Sequence, residues 1–487
     1  MTDHSPNTRF AVCSYGSKAC LETAMALQNK GWTLVASVGL TGDLRKGSAG
    51  MDAFWNAAEP DIFEATFNVK TVPVMPTWMA GEDLYCLLQT FDRHTIDAPI
   101  SVDERLERGL RLVDGWGKVL DEQKPALCLF DDAPHNAYDY ALYLVARARG
   151  VRTFMFQYGP SVHHMVVTDR VGGQALAPHR SAVDVAAIQG CIGHMGQSGA
   201  SPGYMERQRE EAASFRRRHS VPALLANSLR EKLRLARGWK IAPAGWSLLS
   251  YGKRPFGWTQ RNLMPWQLAW MMRSVQKRNR ALQKRYQEAT SSTLPECFVY
   301  VPLHYQPEAT TMPLAGWWSN QVALLQTLAA QLPTGWSIVT KEHPTTFHPH
   351  LFGYQGRRSG YYKDIGAIPG VHIAQETTPS HILMQNAQFV LTLRGTASWE
   401  AINMGRWGFF TSPNWFTLHP GLMVAPETAI MECLKRIEAP PPGGRAVLES
   451  VAPFLIPNDR IGHTDMAHTA AIVAQTLLSA MSHPPIH

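Results

Sequence analysis

In the C-terminal half of this 487-residue chain, side chains able to bind or protonate an anion cluster where short apolar runs end. His304-Tyr305-Gln306 follows Phe298–Val301, and Lys341-Glu342-His343-Pro344 follows Ser337–Thr340. Arg394-Gly395-Thr396-Ala397-Ser398 follows Phe389–Leu393. Lysine and histidine both donate to phosphate, and an imidazole titrating near neutrality can also protonate a leaving oxygen. Strand alternation puts Val339, Lys341 and His343 on one face and Ile338, Thr340 and Glu342 on the other. Lys341 and His343 are therefore expected to act together, with Glu342 as a structural partner. A glycine leading into Thr396 and Ser398 at a helix start presents free N–H groups, two hydroxyls and the helix dipole to an anion. Arg394 beside that turn adds a cation. The turn has neither the Walker spacing nor its lysine, which excludes a P-loop NTPase. The competing reading is that Thr396 or Ser398 merely caps the helix.

The N-terminal half supplies carboxylates instead. Asp131-Asp132-Ala133-Pro134-His135 follows the apolar run Ala126–Phe130. Ser14 to Lys18 and Gln157-Tyr158-Gly159 end two further runs. A carboxylate in such a place can accept a proton from an attacking hydroxyl. Asp132 is also a plausible N-cap for the helix that follows. The sequence leaves Asp131, Asp132 and His135 open as the base.

These residues need strand ends to carry them. Phe10–Tyr15, Thr33–Val38, Ala126–Phe130 and Val151–Phe156 read as strands, with helices at about Cys20–Asn29 and Tyr138–Arg149 between them. After residue 292 the alternation resumes, with strands at 298–301, 337–341, 371–374, 389–393 and 407–411, helices near 321–331 and 398–404, and a terminal helix at 464–482. Strands alternating with helices of this length predict parallel, doubly wound sheets. The expected fold is α/β with two Rossmann-like domains facing each other, at 1–202 and 293–487, and a basic helical segment at 203–292. In such sheets ligands bind beyond the carboxyl ends of the strands, where the residues above are found.

The composition, 45% hydrophobic and 17% charged, is that of a globular protein. Seven scattered cysteines without a Cys-x-x-Cys pair argue against a disulfide framework or a zinc site. The polar start, and apolar runs too short to span a bilayer, predict a reducing, cytoplasmic location. The net charge of +7 is uneven. Residues 206–288 hold nineteen Lys/Arg against five Glu, and the rest of the chain is net acidic. A basic segment of this kind suits an anionic membrane surface or an acidic glycan. No nucleic-acid module accompanies it, so nucleic acid is not an expected partner.

The run Tyr300–Thr311, then Lys341-Glu342-His343-Pro344, then Gly395-Thr396-Ala397-Ser398-Trp399-Glu400-Ala401 with Gly405, resembles bacterial capsule and surface-polysaccharide glycosyltransferases. These are two-Rossmann (GT-B) enzymes that include Kdo transferases. The His-Pro pair and the Ser/Thr motif are similar to the CMP-binding motifs of bacterial sialyltransferases. In those enzymes an acidic pair, usually followed by glycine, supplies the base; here Ala133 follows. The resemblance is confined to about 298–411. It implies transfer of a 2-keto sugar acid, Kdo or a sialic-acid-like sugar, from a CMP-sugar to a glycan or lipid-linked acceptor, with no cofactor and no metal. It also implies that His343, Thr396 and Ser398 contact the donor phosphate and Lys341 neutralises it. Arg394, Gly395, Glu400, His304 and Gln306 complete the donor side. Asp131, Asp132 or His135, with His343, would be catalytic. The alternatives are a UDP-sugar or CDP-polyol donor, or a non-catalytic polysaccharide-binding subunit.

Overall fold

A computed structural model describes residues 8–14, 17–39, 54–55, 74–93, 101–159, 164–173, 175–176, 185, 265–309, 311–348, 351–457 and 466–481. The basic stretch 203–264, Cys191 and the Tyr15-Gly16 part of the first turn lie outside the described residues.

The chain builds two sheets. The first contains β1 (Arg9–Ser14), β2 (Thr33–Gly39), β3 (Phe54–Trp55), β4 (Leu127–Phe130), β5 (Arg152–Tyr158) and β6 (His164–Thr168), with helices α1 (Lys18–Asn29), α2 (Gly81–Thr90), α3 (Val102–Gln123) and α4 (Ala137–Ala148). After α5 (Pro265–Ala289), the second sheet is built from β7 (Phe298–Tyr300), α6 (Gln321–Ala329), β8 (Ser337–Thr340), α7 (Tyr361–Gly366), β9 (Val371–Ile373), α8 (Ser380–Asn386), β10 (Val390–Thr392), α9 (Thr396–Asn403) and β11 (Gly408–Phe410). Helices α10 (Ala429–Arg436) and α11 (Gly444–Val451) lead to β12 (Leu455–Pro457) and α12 (Met466–Met481).

Strand order is β12-β6-β5-β4-β1-β2-β3 in the first sheet and β11-β10-β7-β8-β9 in the second. Every pairing is parallel except β5 with β6 and β6 with β12. The predicted α/β fold with two Rossmann-like sheets is therefore present.

The period-2 pattern explains the layering. Phe10 and Val12 of β1, with Leu127 and Leu129 of β4, pack against α1 and α12. Ala11, Cys13, Cys128 and Phe130 face α2, α3 and α4 on the other side. In the second sheet Val299 and Leu391 join one cluster, and Phe298, Tyr300 and Val390 join the other. Strands buried on both faces are the continuous apolar runs seen in the sequence.

Three features depart from the sequence-based expectations. The terminal helix, assigned above to the second domain, instead packs on the first. Strand β12 adds antiparallel to β6, and Val473, Ala474 and Leu477 of α12 lie in the cluster around Phe10. A single amphipathic helix does not specify which sheet it will cover. Second, the long helix α3 has no counterpart in that reading, although Ser101, three residues before Glu104, gives it a start signal: Ser101 Oγ accepts from Glu104 N–H at 3.1 Å. Third, the helix after the acidic pair is capped at Asn136 and not at Asp132. The Asp139 carboxylate accepts from the Asn136 backbone and side-chain N–H groups at 2.7 and 2.8 Å.

The two halves touch directly. Trp317 stacks on Tyr85 at 4.8 Å, its backbone N–H donates to the Glu82 carboxylate, and Ser319 Oγ donates to Gln89 Oε1. Val166 and Leu455 share an apolar cluster with Trp399 and Phe410.

Candidate functional site

Each sheet has one point where chain order reverses, and such points are where open α/β sheets bind ligands. In the first sheet it falls between β1 and β4, in the second between β7 and β10. Ser14, Ser17 and Asp131-Asp132 therefore flank one crevice. His304 and Arg394-Gly395-Thr396 flank the other.

At the second crevice the His304 ring lies against Gly395. A Cβ on Gly395 would sit 2.7 Å from His304 Cε1, so this close approach requires glycine. His304 Nε2 accepts from Leu393 N–H at 3.3 Å, which leaves the ring proton on Nδ1. Its backbone N–H and carbonyl are both held by the Gln321 amide. Burial, with smaller contributions from His343, Arg357 and Arg394, pushes its pKa down to about 3. Gly395 is the N-cap of α9, and Thr396 Oγ1 donates to Glu400 at 3.0 Å. Burial raises the Glu400 pKa, against that hydrogen bond.

Lys341 and His343 leave the end of β8 toward different partners. Lys341 Nζ donates to Thr378 O at 2.6 Å and lies 3.5 Å from Ser380 Oγ. Burial lowers its pKa. His343 caps the short 3-10 turn Pro344–Phe347: its Nδ1 accepts from Thr345 N–H at 3.3 Å and meets Thr345 Oγ1 at 2.6 Å. The proton then sits on Nε2, the one nitrogen able to donate to a ligand. Burial lowers the His343 pKa to about 4; Glu342 opposes this, and Arg357 and Lys341 add to it.

Glu342 turns inward, as the alternation predicts. Arg357 Nε and Nη2 clasp its carboxylate at 2.7 and 2.8 Å. Tyr362 Oη, Thr346 Oγ1 and the His343 N–H donate to it as well. Those hydrogen bonds and the guanidinium outweigh burial and hold its pKa below the usual range. Arg357 also donates to the His304 carbonyl at 2.6 Å and to Gln306 Oε1 at 3.0 Å. This one residue ties the ends of β7 and β8 together. Sequence reasoning missed it, and the available signal was indirect: a glutamate at the end of a buried strand needs a cation.

Arg394 bridges the crevices. Its Nη2 makes a long contact of 3.4 Å to Gln157 at the end of β5, and Asp132 partly offsets the lowering of its pKa, by burial, to about 10. Its Nε and Nη1 are buried without a hydrogen-bond partner. Orphaned guanidinium donors are costly, which sets Arg394 apart from the fully partnered Arg357.

Three predicted site residues serve the fold instead. Ser398 is 0% exposed; its hydroxyl donates to Phe409 O at 2.7 Å and pairs with Thr392, so it holds α9 on β11 and faces no crevice. Gln306 is buried between Ser319 O and Arg357. Asp131, 7% exposed, accepts from Ser14 Oγ at 3.0 Å and Ser17 N–H at 3.2 Å, fixing the turn into α1. Of the acceptor-side candidates, Asp132 accepts from Ala133 N–H, and His135 donates from Nδ1 to Ala133 O at 2.7 Å. An open groove of about 880 Å³ between α6 and α7, lined by Gln326, Arg358 and Asp364, contains none of these residues.

No family model matches the chain, and no curated protein matches it. Solved structures with which it aligns include UDP-GlcNAc 2-epimerase from Neisseria meningitidis bound to UDP-GlcNAc, at 11% identity over 97% of this chain and 100% of that one, with a TM-score of 0.22. The Methanocaldococcus jannaschii UDP-GlcNAc 2-epimerase in complex with UDP-GlcNAc and UDP aligns at 11% identity over 91% and 97%, with a TM-score of 0.23. A trehalose-6-phosphate synthase aligns at 10% over 97% and 99%, with a TM-score of 0.24. Identities and scores this low carry no argument about what the chain binds; the fold rests on its own two parallel-dominated sheets.

Proposed function

We propose that this protein is a nucleotide-sugar-dependent glycosyltransferase, with the donor at the β7/β10 crevice and the acceptor on the side of β4. The observation that carries the reading is Arg394: a buried guanidinium with two unpartnered nitrogens, next to the uncapped start of α9 and across from Asp132. A donor phosphate placed there would satisfy Arg394 and the free N–H groups of Gly395-Thr396 together. His343 would donate to it from Nε2. An arriving phosphate anion opposes the effect of burial on that imidazole and favours its protonation, turning a hydrogen-bond donor into an acid for the departing phosphate. Asp132 would take the proton of the acceptor hydroxyl, with His135 beside it.

The finer assignment, a CMP-activated 2-keto sugar acid as donor and a surface glycan or glycolipid as acceptor, rests on the motif resemblance alone. It is tested by thermal melting with CMP, CDP and UDP, since a ligand bound only by the native state raises its stability, and by CMP release from CMP-Kdo and CMP-sialic acid. Selective stabilisation by CMP with release of CMP supports it. Turnover of UDP-sugars instead overturns the donor. No stabilisation by any nucleotide, with function intact in His343→Ala, overturns the enzyme.

A further inference from the structure

We infer that the outward face of α5 is a docking surface for an anionic phospholipid bilayer. The orientation of this helix is fixed by its inner face. Val275, Asn279, Leu282 and Tyr286 are buried, Asn279 Nδ2 donates to His348 O and Leu351 O at 2.6 and 2.7 Å, and Tyr286 donates to Ala374 O at 2.5 Å. With that face turned to the second sheet, the opposite one must point out.

The outward face is a single stripe. Trp270, Arg273, Lys277, Arg280 and Lys284 follow one another three and four residues apart, which aligns them along one side of a helix. All five are exposed, Trp270 by 75%. The stripe runs about 21 Å at ~1.5 Å per residue. Arg278, which covers the Tyr354 ring, and Arg285 flank it. The one acid on this helix, Glu288, lies at its far end, 3.8 Å from Lys284. Among the described residues Arg273, Lys277 and Arg280 make no ion pair.

Two observations favour a bilayer over a polymer. The stripe is straight and lies on a helix held rigidly against the body, which suits a flat surface. It also begins with an indole exposed in line with the cations, the combination that seats an amphipathic helix at a headgroup boundary. Among the described residues no helix is long and apolar enough to cross a membrane, so contact through this face would be peripheral. The docking inference does not depend on the donor assignment.

The test is flotation of the full chain with vesicles of phosphatidylcholine alone, or mixed with phosphatidylglycerol, at low and high salt. Binding to the mixed vesicles only, weakening with salt, is expected. Each cation near an anionic surface is worth roughly fivefold in affinity. The fourfold variant Arg273→Gln, Lys277→Gln, Arg280→Gln, Lys284→Gln should therefore bind roughly six-hundredfold more weakly, and Trp270→Ala should release at lower salt than the unaltered chain. Unchanged melting temperatures would show that both variants fold. Equal flotation with neutral and mixed vesicles would overturn the inference. So would undiminished binding by the fourfold variant, or tighter binding to an oligonucleotide or an acidic polysaccharide than to mixed vesicles at the same salt.

Discussion

Arg357 and Glu342 form a two-pronged ion pair, 2.7 and 2.8 Å between paired atoms, with both side chains almost fully buried. The pair joins the segments that carry His304 and His343. Removing one partner leaves a buried charge alone, which typically costs about 3–5 kcal/mol. Arg357→Met is therefore expected to lower unfolding stability by about that much, measured by chemical denaturation. Glu342→Gln combined with Arg357→Met should recover part of the loss. The folded-state pKa of Glu342 is depressed, so its contribution is complete above the ordinary glutamate range and is lost as pH falls through the depressed value. An equal acid limb in wild type and Glu342→Gln would contradict this.

The two aspartates should separate cleanly. Asp131→Asn removes the charged acceptor for Ser14 and Ser17 N–H and should cost about 1–3 kcal/mol of stability. Asp132→Asn should leave stability within about 0.5 kcal/mol and lower turnover by about 10²–10⁴-fold if it is the base. Full turnover in Asp132→Asn would move that role to His135.

Arg394→Met offers a test of ligand against scaffold. The unliganded protein should keep or gain stability, because a buried cation with unpaired donors is removed. The nucleotide-dependent rise in melting temperature should disappear. A loss of more than about 2 kcal/mol without ligand would mark Arg394 as structural.

His304 and His343 link stability to pH in a definite direction. Burial lowers both folded-state values, to about 3 and about 4, below the ordinary histidine value. The unfolded chain therefore binds more protons across that window. Stability should be complete above about pH 6.5 and fall on acidification toward the folded values. His343→Gln should flatten the decline between about pH 6.5 and about pH 4, as followed by denaturation midpoints. A steeper decline in the variant would reverse the sign.

The linear pattern alone determined a good deal of this protein. Apolar runs of strand length, separated by helix-length segments, predicted two parallel-dominated sheets, because strands buried on both faces must be apolar throughout. Polar residues at the ends of those runs then had to lie along the carboxyl edges, which is where His304, His343, Arg394 and Asp132 stand. The alternation at 338–343 also separated Glu342 correctly from His343.

Tertiary structure decided what alternation cannot. A strand-end hydroxyl or carboxylate looks the same in sequence whether it faces a crevice or a neighbouring turn. The strand-end positions of Ser398 and Asp131 predict site residues, but Phe409 O on the next strand and Ser14 Oγ, 117 positions away, draw them into the fold. Arg357 became visible only when the loop carrying it folded back over β7 and β8. The terminal helix returned to the first sheet because the apolar surface beside Phe10 and Leu127 lies there. Local spacing sets which face a side chain occupies; what covers that face depends on segments hundreds of residues away.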